Sequence, residues 1–240
     1  MSGAGPASLE IAFGIYEPLT TRLFRAALYE GMTAVDIGAH VGYYTLLAAC
    51  DVGPRGCVFA FEPHPQNFRA LRENLDRNSC TNVVALPYAV SDSIGEASFH
   101  EHQSSYEHSL HRRGSALTSL RVPTVTLDSF FSDRGWPRID LIKMDAEGSE
   151  SAILKGAEGT IERSKPILIT EFSPETMAAA GVPREGFLAH LLRLGFTVVA
   201  LDDSSLRSTP FQSIAELNRQ FGEDWSGNLY CQEASADTSR

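Results

Sequence analysis

The chain has 240 residues, 43% hydrophobic and 21% charged, ordinary for a folded globular protein and enough for one α/β domain with a full core, or a domain plus a small cap. Its formal net charge of −10 argues against nucleic acid or an anionic membrane as partner, since both require a basic face. No apolar run approaches the ~20 residues of a membrane span, the N-terminus lacks the layout of a signal peptide, and Cys50, Cys57, Cys80 and Cys231 form no Cys-x-x-Cys pair, so they read as reduced, mostly buried thiols of a cytoplasmic protein.

Residues 1–8 are small and polar and are expected to be disordered. Residues 1–30 are expected to form an N-terminal helical segment, with Leu19, Leu23, Phe24 and Ala27 on one face. The main domain is expected over residues 31–240. It opens with a strand at Ala34–Ile37 and a helix from about Gly42 to Cys50, joined by the turn Asp36-Ile37-Gly38-Ala39-His40-Val41-Gly42. Glycines let a backbone turn tightly and approach a ligand closely. The helix start behind them offers free N–H groups and partial positive charge. This is not the dinucleotide fingerprint, which needs a third glycine. The leading carboxylate of Asp36 repels a pyrophosphate and suits a ligand with a positive group, such as an amino-acid ammonium or a sulfonium. The second strand, Val58–Glu62, ends in an acid, the place where a carboxylate holds a ribose diol.

Asn67, Phe68, Leu71 and Leu75 run at helical spacing, followed by a strand at Val83–Tyr88 and by Ser91-Asp92 at its tip. A turn at Ile94-Gly95 leads into Ala97–Phe99. Residues 100–119 are polar and contain His100, His102, His108 and His111. This stretch reads as an insertion or lid, a natural place for substrate selection; the irregular spacings without cysteine speak against zinc. Thr124–Asp128 leads toward a helix through Phe131. Strand four is Ile139–Met144, followed by Asp145-Ala146-Glu147-Gly148-Ser149-Glu150 and a helix through Ile153 and Ile161. Strand five, Ile167–Thr170, ends at Glu171. A helix through Phe187 and Leu191 is closed by Gly195. Strands at Phe196–Leu201 and Asn228–Cys231 are expected to pair as an antiparallel hairpin at the sheet edge. Alternating strands and helices imply an α/β fold: a mostly parallel, seven-stranded sheet with helices on both faces and an antiparallel edge strand.

The runs Phe61-Glu62-Pro63, Ala89-Val90-Ser91-Asp92, Val125-Thr126-Leu127-Asp128 and Lys143-Met144-Asp145-Ala146-Glu147-Gly148-Ser149-Glu150 resemble the FkbM family of methyltransferases, over about residues 31–173. The resemblance implies a Rossmann-like methyltransferase fold, S-adenosylmethionine as cofactor, and O-methylation of a hydroxyl on a natural product, sugar or lipid. By the same resemblance Asp36, Gly38, Ala39 and Gly42 would hold the methionine part of the cofactor and Glu62 the ribose. Ser91 and Asp92 would lie near adenine, the alternative being a turn that caps the strand.

Asp36, Glu62, Asp92, Asp145 and Glu171 all close predicted strands, so they converge on one rim of the sheet. Asp145, Glu147 and Glu171 are the candidates for chemistry. Asp145 and Glu171 resemble the pair that binds magnesium in catechol-type methyltransferases, where the metal would lower a hydroxyl pKa. Without a metal, a carboxylate such as Asp145 or Glu147, or a histidine of the insertion, would take the proton directly. Glu147 and Glu150 are also placed to cap the following helix, Glu150 above all. Lys143 reads as a buried ion-pair partner, and His40 and His64 as loop-packing residues. Two other functions compete: a nicotinamide-dependent oxidoreductase, opposed by the absent third glycine, and a non-catalytic cofactor-binding module, opposed by the intact acids and glycines. The sequence carries no pattern for the acceptor or for a homo-oligomer.

Overall fold

The structure, a computed structural model, describes residues 16–101, 109–110 and 118–234. Residues 1–8, His102, His108, His111 and most of the expected insertion lie outside the described residues.

The chain enters through a helix at Pro18–Ala26, with proline in its first turn and Leu19, Thr20 and Phe24 buried. Its free amide groups are satisfied from far away. Asp203 Oδ1 accepts from the N–H of Leu19 at 2.7 Å and of Thr20 at 3.0 Å, and Oδ2 from Thr20 Oγ1 at 2.6 Å.

The strands are β1 Thr33–Ile37, β2 Cys57–Phe61, β3 Val83–Leu86, β4 Ala89–Val90, β5 Gly95–Glu101, β6 Thr118–Val125, β7 Leu141–Met144, β8 Ile167–Phe172, β9 Phe196–Asp202, β10 Arg207–Pro210 and β11 Gly227–Glu233. The main sheet has eight strands in the order β10-β9-β11-β8-β7-β1-β2-β3, one more than expected. The added strand, β10, is Arg-Ser-Thr-Pro, with no apolar alternation and a proline at its end, as an edge strand tolerates. It takes the edge position expected of the last strand. β11 lies inside the sheet, antiparallel to both β8 and β9. The run β3-β2-β1-β7-β8 is parallel throughout.

The third predicted strand stops at Leu86, and Ala89–Val90 crosses into a second sheet of order β4-β6-β5. There Gly95–Glu101 and Thr118–Val125 run antiparallel, so both ends of the expected insertion are strands.

Strand parity divides the core in two. Val35, Ile37, Ile142 and Leu168 pack with Phe131, Leu154 and Phe187 on one face. Ala34, Val58, Leu141 and Ile169 pack with Phe24, Ala48 and Val52 on the other. Only Cys231 of the four cysteines is buried; Cys50 is exposed and Cys57 and Cys80 are half-buried, contrary to the expected burial. Each lies near a strand end or helix end rather than mid-sheet, apart from Cys231. No helix of the described residues is long and apolar enough to cross a membrane.

Candidate active site

The same parity that buries Ala34 and Leu141 carries polar groups onto that face one step further along. Asp36 pairs with Lys143 across β1 and β7, and Glu171 pairs with Asn228 across β8 and β11. These side chains open into a cleft of about 310 Å³ at the carboxyl ends of the parallel strands, where doubly wound sheets bind ligands.

The turn after β1 forms one wall. The N–H groups of Gly38 and Ala39 both donate to the carbonyl of Phe61 at 3.0 Å, pinning the turn onto β2. Gly38 has φ +80, and a Cβ there would lie 1.8 Å from the carbonyl oxygen of Asp145. At Gly42, φ +97, a Cβ would meet Leu71 Cδ1 at 2.6 Å. Both glycines are required by contacts within the protein, and Gly38 also lines the cleft. Asp36 is buried, and its Oδ2 accepts from Thr45 Oγ1 at 2.5 Å. Burial pushes its carboxyl up to about 6, against the opposing pull of the Thr45 hydrogen bond.

Glu62 stands at the tip of β2, 4% exposed. Its Oε2 accepts the N–H of His40 and its Oε1 the N–H of His64, each at 2.8 Å. Burial raises its carboxyl to about 7, with these two bonds acting in the other direction. His64 also caps the helix Pro65–Arg77. That cap is made by the His64 side chain, whereas His40 lies in the left-handed region at φ 50.

Lys143 is fully buried. Its ammonium lies 3.4 Å from Asp145 Oδ2, 3.3 Å from Asn228 Oδ1 and 5.1 Å from the centroid of the Tyr44 ring. Desolvation works against its charge, but Asp145, Glu17, Asp36 and Glu171 outweigh it and hold its pKa above the ordinary lysine value. Sequence reasoning found the lysine and missed three residues around it. Glu17 Oε2 accepts from Tyr44 Oη at 2.5 Å, and Glu17 Oε1 accepts from Asn228 Nδ2 at 3.0 Å. Asn228 was a visible signal, being an amide just before the apolar run Leu229-Tyr230-Cys231. Glu17 had none.

Single carboxylate oxygens of Asp145, Glu147 and Glu171 all lie within 4.8 Å of one another. Glu147 adopts φ 53 and is followed by Gly148 at φ +99, where a Cβ would press on the Thr176 carbonyl at 2.7 Å. Glu150 opens the helix Glu150–Lys155 but does not cap it as expected: its Oε1 accepts the N–H of Ala146 at 2.7 Å and its Oε2 that of Gly148 at 2.9 Å, so it staples the preceding loop instead. Glu171 Oε2 is buried with no hydrogen-bond partner among the described residues. Burial first, then Asp145, Glu147 and Glu150, raise its pKa well above the ordinary range.

Ser91 and Asp92 stand apart. The cleft wall beside β3 and β4 is formed by Tyr88, Ala89 and Val90. The carbonyl of Ser91 instead lies against Gly156, where a Cβ would meet it at 2.1 Å. Phe99, just before the expected insertion, and Leu110, within it, do line the cleft.

Solved structures of similar shape are methyltransferases. A methyltransferase FkbM from Methylobacillus flagellatus aligns with a TM-score of 0.55 at 17% identity, over 88% of this chain and 47% of that one, and shows the Rossmann-like fold. Residues 36–196 match the model of the methyltransferase FkbM domain, and the chain belongs to that family. The hexuronic acid methyltransferase AglP of Haloferax volcanii is 30% identical over 136 residues, 56% of this chain and 53% of that protein. The 31-O-demethyl-FK506 methyltransferase FkbM of Streptomyces tacrolimicus is 27% identical over 218 residues, 78% of this chain and 81% of that protein. The chain thus spans about half the length of the first of these relatives.

Proposed function

We propose that this chain transfers the methyl group of S-adenosylmethionine to a hydroxyl oxygen of a small molecule, a sugar or natural product. The observation that carries the reading is Glu62. Each of its oxygens accepts one backbone N–H and the Asn67 side chain bonds to it as well, which fixes the carboxylate on the cleft wall. Two such acceptors side by side match the vicinal hydroxyls of a ribose. Asp36 and the surrounding acids favour a cation, as the ammonium and sulfonium of this cofactor require, and disfavour a pyrophosphate.

When bound, S-adenosylmethionine supplies an electrophilic methyl for in-line displacement. The chain's own groups hold and orient the acceptor and remove its proton. Glu171, its Oε2 without a partner and its pKa raised, is suited to accept the hydroxyl proton. Asp145, anchored by Lys143, orients the acceptor oxygen. Glu147 completes the rim. The names of the relatives support an acceptor of sugar or natural-product type, since one methylates a hexuronic acid and another 31-O-demethyl-FK506.

Three converging carboxylate oxygens suit magnesium. The ammonium of Lys143 beside Asp145 does not, and no step is derived through a metal. The test is incubation with methyl-labelled S-adenosylmethionine and a panel of sugars, followed by mass spectrometry, with and without EDTA. The expected result is one labelled methyl on an acceptor oxygen, unaffected by EDTA. Label on nitrogen or carbon, or none on any hydroxyl, overturns the reading; loss of transfer in EDTA restores the metal at Asp145 and Glu171.

A further inference from the structure

A second depression, an open groove of about 520 Å³, adjoins the cleft and shares Glu17, Ser226, Gly227 and Asn228 with it. Its floor is an aromatic shelf. The ring of Trp225 stacks on Phe221, with centroids 5.0 Å apart and planes at 30°, and on Phe172 at 6.0 Å and 28°. Gly227 lets the indole lie against the backbone, since a Cβ there would meet Trp225 Cζ2 at 2.5 Å. The shelf is therefore fixed in place before any ligand arrives. Trp225 is only half-buried, while its Nε1 is buried with no hydrogen-bond partner among the described residues.

Charge in this groove is unevenly used. Asp203 is occupied by the start of the N-terminal helix, and Asp202 by Ser204 Oγ at 2.6 Å and Ser205 Oγ at 2.5 Å. Arg207 pairs in register with Asp202 across β9 and β10, yet makes no ion pair among the described residues. Its guanidinium lies 5.6 Å from the centroid of the Phe221 ring. It is the cation among the residues lining the groove. A guanidinium over an aromatic shelf, with neighbouring acids already satisfied, is a receptor for a carboxylate attached to a flat apolar face.

We propose that this groove is the acceptor subsite and that it takes a sugar acid. The sugar's C–H face packs on Trp225 and Phe221, and its carboxylate pairs with Arg207. The hydroxyl to be methylated reaches toward Asp145 and Glu171 beside Ser226 and Gly227, which line both depressions, past the Glu17–Asn228 hydrogen bond. The proposal rests on the methyl-transfer reading above and adds the substrate class and its place. In a chain of net charge −10 an anionic acceptor is repelled at long range, so recognition depends on Arg207.

The test is calorimetric titration of D-glucuronate and D-glucose into protein saturated with S-adenosylhomocysteine, for the wild type, Arg207→Gln and Trp225→Ala. Glucuronate is expected to bind the wild type about tenfold more tightly than glucose. Arg207→Gln removes that preference, Trp225→Ala weakens both sugars, and S-adenosylhomocysteine binds all three proteins alike. Equal binding of the two sugars, no sugar binding to the loaded wild type, or a preference that survives Arg207→Gln overturns the proposal. Failure of S-adenosylhomocysteine to bind the wild type counts instead against the methyl-transfer reading.

Discussion

Glu17 and Asn228 stand 211 positions apart in the chain and are joined by a hydrogen bond of 3.0 Å. The bond ties the entry helix to β11, over the buried ammonium of Lys143. Burial raises the pKa of Glu17, Lys143 and Tyr44 pulling against it. Replacing Glu17 by alanine leaves Tyr44 and Asn228 without an acceptor. The variant is expected to lose about 1–3 kcal/mol of stability, read by urea unfolding, and to expose the Pro18–Ala26 helix to early proteolysis.

Lys143 balances the carboxylates around it. Lys143→Met keeps the volume and removes the charge, so Asp145 and its neighbours face each other without a counter-ion. The expected loss is about 3–5 kcal/mol. A double variant Lys143→Met with Asp145→Asn recovers part of it, measured in a double-mutant cycle.

The glycines separate backbone necessity from mere tolerance. Gly38→Ala places a Cβ 1.8 Å from the Asp145 carbonyl at φ +80 and is expected to lose on the order of 3 kcal/mol or more, with separation of the β1 and β7 loops. Gly186 sits in the first turn of the helix Arg184–Arg193, exposed, with the Pro183 Cβ at 4.0 Å as the nearest contact. Gly186→Ala is expected to stabilise by about 0.5 kcal/mol. Thermal melts of the two variants should move in opposite directions.

The pH dependence follows from three carboxyls. Asp36 moves from 3.8 to about 6, and Glu62 and Glu150 from 4.5 to about 7, each chiefly by burial. A carboxyl whose folded pKa lies above its unfolded value keeps its proton longer in the folded protein. The folded state then binds more protons than the unfolded one between the two values, so stability falls as pH rises through that window. These three make the ligand-free protein lose stability from about pH 4 to about pH 7, and Glu17 and Glu171, raised in the same sense, add to the loss. A cation at Asp36 and ribose hydroxyls donating to Glu62 favour their ionised forms, so cofactor affinity should rise over the same window with release of protons. Titrations in buffers of different ionisation enthalpy would show it; proton uptake on binding would contradict it.

Much of the rim was legible in the sequence because acids that end apolar strands converge at one edge of a parallel sheet. Asp36, Glu62, Asp145 and Glu171 are placed there by strand parity, and Lys143 by the same rule. Glu150 was legible as the start of a helix, but not that its carboxylate turns back onto the loop N–H groups of Ala146 and Gly148. Glu17 and Tyr44 were not, because a contact between an entry segment and the second element leaves no local pattern. β10 escaped because Arg-Ser-Thr-Pro lacks the alternation by which strands are recognised, and with it the inward place of β11. The glycine turn was legible, but not the further constraint on Gly38, which abuts the carbonyl of Asp145 just past the end of β7. Ser91 and Asp92 missed the cleft because the chain leaves the main sheet after Leu86, so β4 supplies the wall at Ala89 and Val90.

The most direct test of the central claim is calorimetric titration of S-adenosylmethionine into the wild type and Glu62→Ala, with folding of both checked by circular dichroism. Micromolar binding to the wild type, weakened about 100-fold in the variant by loss of two charge-assisted hydrogen bonds, is the expected result. Equal affinity of the two folded proteins, or no binding to the wild type, would contradict the assignment of the β1–β2 cleft as the cofactor site.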